Sequence, residues 1–177
     1  MENNFEDDTS TSSVTNKNNI QEIFSTSILK EDFSKYKLLS PLLEIHDTPK
    51  SVFIKSKNEK VLESILNKNI NGKDYKILTI VGSRKNSTYG REVLEYLLKN
   101  LVGENIIIVS GLALGIDTLA HANALKNDLP TISIPGSGLG RKVLYPSANV
   151  NLSEEIINKD GLLLSEYEDD MKSQLYF

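Results

Sequence analysis

The second half of the chain alternates short apolar runs with amphipathic stretches. Runs rich in β-branched residues, too short to be helices, predict strands at 77–81, 106–109, 131–134 and 162–164. Between these runs, apolar residues recur at helical spacing over 93–101, 117–126 and 151–158. Continuously apolar strands that alternate with helices are typical of a parallel sheet covered on both faces. With right-handed crossovers, we expect an α/β fold with a doubly wound, mainly parallel sheet and helices on both faces.

The pattern before residue 75 is less regular. Residues 1–19 are Ser, Thr, Asn and acids with almost no apolar side chains, which predicts a disordered acidic tail. Residues 20–74 predict a short helical or irregular segment with an apolar cluster around Pro41, a possible strand at 52–54 and a helix near 61–66. Asn71-Gly72 is a stop signal, and the main domain is predicted over 75–177.

Composition excludes several classes of protein. The chain lacks cysteine, and two histidines, His46 and His121, cannot by themselves form a usual zinc site, so we expect no metal. No apolar run approaches the roughly 20 residues that span a bilayer, and the acidic N-terminus is unlike a signal peptide. The sequence therefore predicts a cytoplasmic protein without a membrane partner.

Charge is unevenly distributed along the chain. The net charge is −4, with −3 on residues 1–19, +4 on 20–153 and −5 on 154–177. The basic central region has two interpretations: ordinary solvated surface charge, or a local patch that attracts an anionic ligand.

Three predicted strands end in turns that contain glycine, at 82–85, 110–115 and 135–138. Open parallel sheets bind ligands at the carboxyl ends of their strands, and glycine lets backbone N–H groups approach an anion beside the positive end of the next helix. One such turn is most simply explained by tight strand-to-helix geometry, but three along one edge favour a phosphate site. The candidate phosphate-binding residues are Gly82, Ser83, Arg84, Lys85, Gly111, Gly115, Gly136, Ser137, Gly138 and Arg141.

Individual side chains have more than one interpretation. The Arg84 guanidinium could hold a phosphate through two hydrogen bonds, or form a surface salt bridge. The Ser83 hydroxyl could bind the same phosphate or cap a helix. Asp117 and His121 share one helix face; they could be an acid–base pair, but we favour a loop-organising acid with a buttressing histidine. Glu166 lies at the end of the last predicted strand, beside the same turns. It could organise the loop, or it could accept a hydrogen bond from the edge of a base.

The glycine turns do not match the common nucleotide-cofactor motifs. The spacing from Gly82 to Gly90 does not fit G-x-G-x-x-G, and no acid follows the strand at 106–109 to hold a ribose. A G-x-x-x-x-G-K-[ST] loop is also absent from the sequence. We therefore expect no nucleotide cofactor.

Taken in order, these motifs resemble the DNA-processing protein A (DprA/Smf) family. The resemblance covers about residues 75–168 and depends on Val81-Gly82-Ser83-Arg84, Tyr89-Gly90, the run from Ser110 to Asp117 with Ala120-His121, Gly136-Ser137-Gly138-Leu139 with Tyr145-Pro146, and Leu164-Ser165-Glu166-Tyr167. The resemblance implies a Rossmann-like domain that binds single-stranded DNA without cutting it. It also implies a homodimer that delivers the recombinase RecA to incoming strands during natural transformation.

The end of the sequence departs from the family pattern. Members continue past the Ser-Glu-Tyr strand into a Phe-Pro-x-Arg-Asn-Arg segment, whereas this sequence ends at Leu175-Tyr176-Phe177. Three acids, Glu168-Asp169-Asp170, also replace a proline-rich stretch. We therefore expect the Rossmann-like domain to be incomplete at its C-terminus.

Two other functions compete with DNA binding. One is a nucleotide or second-messenger sensor on the same scaffold. The other is a nucleoside monophosphate phosphoribohydrolase of the lysine-decarboxylase-like (LOG) type, which Pro135-Gly136-Ser137-Gly138 faintly resembles. That chemistry needs a carboxylate eight residues after the proline, where this sequence has Val143, so we expect a binding protein and not an enzyme.

Overall fold

The structure is a computed structural model that describes residues 23–173, so the predicted disordered tail at 1–19 lies outside the described residues. The strands are β1 (Phe24–Leu29), β2 (Ser51–Ser56), β3 (Asn69–Ile70), β4 (Lys73–Asp74), β5 (Lys76–Thr79), β6 (Ile106–Ser110), β7 (Thr131–Ser133) and β8 (Leu162–Ser165). The helices are α1 (Glu59–Leu66), α2 (Thr88–Lys99), α3 (Ile116–Lys126) and α4 (Val150–Asn158). Three 3-10 helices cover Lys30–Lys35, Ser40–Glu44 and Ser147–Asn149.

Six strands form the main sheet in the order β1-β2-β8-β7-β6-β5. The four strands β5 to β8 are parallel, whereas β1 and β2 run antiparallel to their neighbours. The prediction of a Rossmann-like, mainly parallel α/β sheet is confirmed. All four strands predicted in the second half of the chain are present, within about two residues of their expected ends.

The two faces of this sheet are covered by different parts of the chain. Right-handed crossovers that advance in one direction place their helices on one face. Accordingly α2, α3 and α4 pack over Ile108 and Leu163. The opposite face, with Ile107, Val109 and Leu162, is covered by residues from 24–66, including α1. Helices therefore lie on both faces of the sheet. In the described chain, the face opposite α2, α3 and α4 is covered by the N-terminal segment, and not by helices from crossovers that run in the other direction along the sheet.

Strand β1 was not predicted from the sequence. Its central residues, Ser25, Thr26 and Ser27, are polar, and only Ile28 is buried, because β1 is an edge strand that pairs with β2 alone. Through β2, which pairs with β8, the segment at 20–74 belongs to the same sheet as the main domain. The predicted boundary at residue 74 therefore does not divide the sheet.

Asn71-Gly72 forms the turn of the small β3–β4 hairpin and does not directly end a helix. Both residues have positive φ, 52° and 78°, as a two-residue Asn-Gly hairpin turn requires. Helix α1 ends at Leu66, before this hairpin. Within residues 23–173, every helix is too short or too polar to cross a membrane.

Strand β5 forms the other edge of the sheet. Three of its four residues are exposed, although the sequence pattern predicts a buried strand. On the neighbouring helix α2, Leu94 and Leu98 are buried, but Val93 and Leu97 are more than two-fifths exposed. The periodicity thus identified the helix correctly but overestimated how much of its surface is covered.

Candidate functional site

The three glycine turns follow β5, β6 and β7 at the carboxyl ends of these strands. We call residues 82–85 the first turn, 111–115 the second turn and 135–138 the third turn. The surface that the three turns form together is called the rim. Parallel pairing aligns the strand ends, as shown by the bonds from Ile80 N to Val109 O (2.9 Å) and from Ile134 N to Ser110 O (2.8 Å). The expected convergence of the three turns is therefore present.

The first and second turns are in direct contact. The Ile116 N–H donates to Ser83 O at 3.1 Å. Gly115 has φ +86°, and a Cβ atom there would overlap Ser83 O. Gly82 is equally constrained, since a Cβ would lie 2.8 Å from the Ile116 side chain. These two glycines therefore allow the two turns to pack tightly against each other.

The basic side chains of the first turn are open to solvent. Arg84 and Lys85 are both exposed. The Ser83 hydroxyl donates to Lys85 O at 2.9 Å and accepts from Lys85 N at 3.1 Å, so it stabilises the turn locally. Among residues 23–173, no carboxylate lies within salt-bridge distance of Arg84.

Asp117 organises the second turn. Its carboxylate is 6% exposed and accepts the Gly111 N–H at 3.1 Å, as the loop-organising interpretation predicts. The Gly111 N–H is therefore already engaged. Within the described residues, the N–H groups of Ala113, Leu114 and Gly115 donate to no other group, so they are available to an anion. They lie at the start of α3, whose positive end favours negative charge.

His121 is buried beneath the second turn. Thr131 Oγ1 donates to Ile108 O at 3.0 Å, so it must accept from His121 Nδ1, which lies 2.8 Å away. The other ring nitrogen, Nε2, is buried without a partner in the described chain. Burial lowers the pKa of His121 to about 4, with a smaller opposing effect from the Ser110 backbone. The ring is therefore neutral at pH 7 and supports the fold beneath the rim.

The third turn differs from the expectation. Ser137 is fully buried; its hydroxyl accepts the Tyr145 N–H at 3.0 Å and donates to Gly138 O at 3.1 Å. The Gly138 N–H donates to Met171 O at 2.8 Å. The Ser137 hydroxyl and the Gly138 N–H are therefore both engaged within the protein, and the chain after β8 folds back over this turn. Gly136 alone remains exposed, with open space where a Cβ would stand.

The two remaining predicted residues lie away from the first and second turns. Arg141 is ion-paired with Glu154 on α4, so its charge is partly neutralised. Glu166 is exposed and lines a cavity of about 420 Å³ on the opposite face of the sheet from α3, together with Leu42, Ile77 and Ile134. The structure therefore brings Ser83, Arg84 and Lys85 to the second turn, but not Arg141 or Glu166.

Two residues that sequence reasoning missed organise the rim from a distance. Lys55, on β2, pairs with Asp169 at 2.7 Å and donates to Leu139 O at 3.1 Å, so it fixes the chain over the third turn. Asn149 donates to Leu112 O at 2.7 Å in the second turn. Both contacts join residues more than 35 positions apart, and neither residue type nor local spacing signals such a partner.

The described residues include no group of three or more His, Cys, Asp or Glu side chains that could hold a metal. The fold and the rim together define a Rossmann-like α/β protein whose paired glycine turns and exposed arginine lie at the strand ends.

Comparison with known proteins identifies the family. The profile of the family described as DNA recombination-mediator protein A matches residues 34–177. DNA processing protein DprA of Streptococcus pneumoniae is 37% identical over 147 residues, which cover 78% of this chain and 46% of that protein. The Bacillus subtilis DprA is 37% identical over 95 residues, covering 54% of this chain and 31% of that protein.

Two solved structures are also similar. The crystal structure of the S. pneumoniae protein superimposes with a TM-score of 0.64 and 35% identity, covering 84% of this chain and 46% of that one. The structure of Helicobacter pylori DNA processing protein A, described for its single-stranded DNA binding mode, has a TM-score of 0.59 and 27% identity, covering 85% of this chain and 59% of that one.

The chain belongs to the DNA recombination-mediator protein A (DprA/Smf) family, as the motifs predicted. It spans less than half the length of the two curated relatives described above.

Proposed function

We propose that this chain binds single-stranded DNA through its phosphates, without cutting it, at the part of the rim formed by the first and second turns. Arg84 is the cationic anchor in this proposal, and the N–H groups of Ala113, Leu114 and Gly115 are the backbone donors. Lys85 adds a second, more weakly positioned charge.

One observation carries the proposal: the contact between the two turns places the exposed Arg84 beside the positive end of α3. The Arg84 backbone would lie 2.7 Å from a Cβ at Gly115, so the arginine and the free N–H groups start from adjacent points. A guanidinium beside a helix N-terminus suits a phosphate, which accepts hydrogen bonds from both. Such contacts do not distinguish bases, so the proposed binding is independent of sequence.

Similarity to relatives supports the same proposal. The H. pylori relative is described as binding single-stranded DNA, and it shares the fold of this chain. By extension from the family, we propose that the chain acts in recombination in the cytoplasm, as a homodimer that delivers RecA to the bound strand. These partners are proposals for this chain, which covers part of each relative.

Nothing about the proposed role requires catalysis. Asp117 is committed to the Gly111 N–H, and His121 is buried and neutral, so the two do not form an exposed acid–base pair. The phosphoribohydrolase alternative lacks its carboxylate at Val143. A binding role therefore accounts for the site with fewer assumptions.

The test is fluorescence anisotropy of labelled oligo-dT at several salt concentrations, with Arg84→Ala and Arg91→Ala. Arg91 is also exposed, but it lies on α2 and serves as a matched loss of one charge. For single strands, the logarithm of affinity falls with the logarithm of salt concentration by about 0.7 for each phosphate contacted. We expect salt-dependent binding that Arg84→Ala weakens and flattens for every base composition, while Arg91→Ala has little effect.

Two results would contradict this proposal. If Arg84→Ala and Arg91→Ala weakened oligo-dT binding equally, Arg84 would contribute only through general surface charge. Displacement of the oligonucleotide by a free mononucleotide at lower concentration would instead favour the nucleotide-sensor alternative.

A further inference from the structure

The second turn contains an unusual backbone conformation. Leu112 has φ +61°, in the left-handed region that residues other than glycine rarely adopt because of backbone strain. Its side chain is fully buried and packs with Leu139 and Ile156. The surrounding structure must therefore hold this residue in place.

Asn149 provides that restraint from outside the turn. Its side-chain amide donates one hydrogen bond to Leu112 O at 2.7 Å and another to Thr118 Oγ1 at 2.8 Å. The Thr118 hydroxyl in turn donates to Ala113 O at 2.7 Å. Two of these three hydrogen bonds end on carbonyl groups of the second turn, and the third joins Asn149 to the Thr118 hydroxyl.

The position of Asn149 shows that this network is not a helix cap. Asn149 precedes α4, but its side chain makes no capping bond to that helix. Asn149 is only 5% exposed, so its amide depends on these protein partners. The Asn149 side chain therefore makes its hydrogen bonds to the second turn and to Thr118, and not to the helix that it precedes.

We propose that Asn149, with Thr118 as its relay, is a positioning residue for phosphate binding. It fixes the carbonyl groups of Leu112 and Ala113 inward, and this orients the N–H groups of Ala113 and Leu114, which share those two peptide planes, toward the rim. The effect on DNA rests on the proposed function, whereas the effect on the turn does not.

The chemistry of an amide is essential to this role. Asn149→Asp keeps the shape of the side chain but replaces both donor protons with a carboxylate oxygen that faces Leu112 O and Thr118 Oγ1. The carboxylate cannot donate to Leu112 O, and it can bond to Thr118 only if the hydroxyl turns its proton away from Ala113 O, so the network opens. Thr118→Val removes the relay in the same way, whereas Thr118→Ser retains the hydroxyl.

The experiment compares Asn149→Asp with Asn123→Asp in the full chain. Asn123 is a control of similar burial on α3, and its amide donates to Leu119 O within that helix. Three quantities are measured: the free energy of unfolding, the backbone amide NMR shifts of residues 111–115, and the oligo-dT affinity with its salt slope.

We expect Asn149→Asp to move the amide resonances of 111–115 and to weaken oligo-dT binding about tenfold with a smaller salt slope, by analogy with the loss of affinity when residues that orient metal ligands are replaced. Asn123→Asp should leave the slope unchanged at a comparable loss of stability. If Asn149→Asp does not fold, Thr118→Val against Thr118→Ser makes the same comparison.

The experiment tests the effect of Asn149 on the second turn separately from DNA binding. Unchanged amide resonances of 111–115 in Asn149→Asp or Thr118→Val would overturn the positioning role, whether or not the protein binds DNA. Shifted resonances with unchanged DNA affinity would also overturn it. Wild-type protein that fails to bind oligo-dT, with the resonances still shifted by the substitution, would contradict the proposed function instead and leave Asn149 as a determinant of the turn alone.

Discussion

Gly115 packs directly against the backbone of Ser83, and this contact leaves no room for a Cβ atom at position 115. The φ of +86° and the overlap of a Cβ with Ser83 O both restrict this position to glycine. We expect Gly115→Ala to lower the free energy of unfolding by about 2–5 kcal/mol, from backbone strain and steric overlap together.

Gly72→Ala is the matched control for this prediction. Gly72 has a similar φ of +78°, but nothing lies within 4 Å of its Cβ position. Its substitution should cost only the strain, about 1–2 kcal/mol. Urea unfolding of both variants measures the difference, and equal losses would show that the contact between the two turns relaxes easily.

Ser137 should prove structural in spite of its place in a glycine-rich turn. Ser137→Ala leaves the Tyr145 N–H without its acceptor, which should cost about 1–3 kcal/mol of stability. The salt slope of oligo-dT binding should stay constant, since the buried hydroxyl reaches no phosphate. Thermal unfolding and anisotropy give the two readouts. A reduced slope at wild-type stability would restore Ser137 as a phosphate ligand.

The low pKa of His121 makes stability depend on pH. The unfolded chain binds a proton near pH 6.5, whereas the folded protein does so only at about 4. Between these values the unfolded state carries more protons, so stability rises with pH and is lost as pH falls from about 6.5. We expect a loss of about 2 kcal/mol between pH 7 and pH 5.

Urea unfolding at several pH values checks this prediction, with His121→Gln as the comparison. The variant should show a flatter profile between pH 5 and pH 7. An unchanged slope in the variant would mean that other groups cause the pH dependence.

The acids after β8 should weaken binding of an anion at the rim. Glu168, Asp169 and Asp170 follow β8 on the segment that folds over the third turn. Replacing Glu168 and Asp170 with amides leaves the Lys55–Asp169 pair intact and should tighten oligo-dT binding on the order of threefold at low salt, from the loss of two negative charges. The gain should vanish at high salt. Amide substitutions at Glu104 and Asp128, near the opposite strand ends, should have a smaller effect; equal gains would indicate net charge alone.

The sequence predicted the parallel strands and the turns for a clear physical reason. The strands at 106–109 and 162–164 are continuously apolar because they lie inside the sheet, and the strand at 131–134 lies between them. A glycine follows within two residues of the strands at 106–109 and 131–134. The contact between the first and second turns follows from parallel pairing. The exposed Arg84 and the loop-organising Asp117 could therefore be placed from sequence alone.

Long-range contacts account for what the sequence did not predict. Ser137 and Gly138 have the composition of a phosphate loop, but residues near Met171 occupy that turn, and no local pattern encodes this return of the chain. Strand β1 is polar because one edge of it is open, so its periodicity is weak. Asn149 precedes a helix as caps commonly do, yet its partner lies in the second turn. Each of these depends on pairing between distant segments.

The open edge of β5 has a consequence for how the protein behaves at high concentration. In the described chain β5 pairs only with β6, so its outer N–H and C=O groups face solvent beside exposed apolar residues such as Ile77 and Val81. An edge of this kind is a template on which strands of other molecules can add, and Lys76 is its single charged residue. We therefore expect the open edge of β5 to promote self-association at high concentration, and light scattering that grows with concentration and falls on Thr79→Lys would report it.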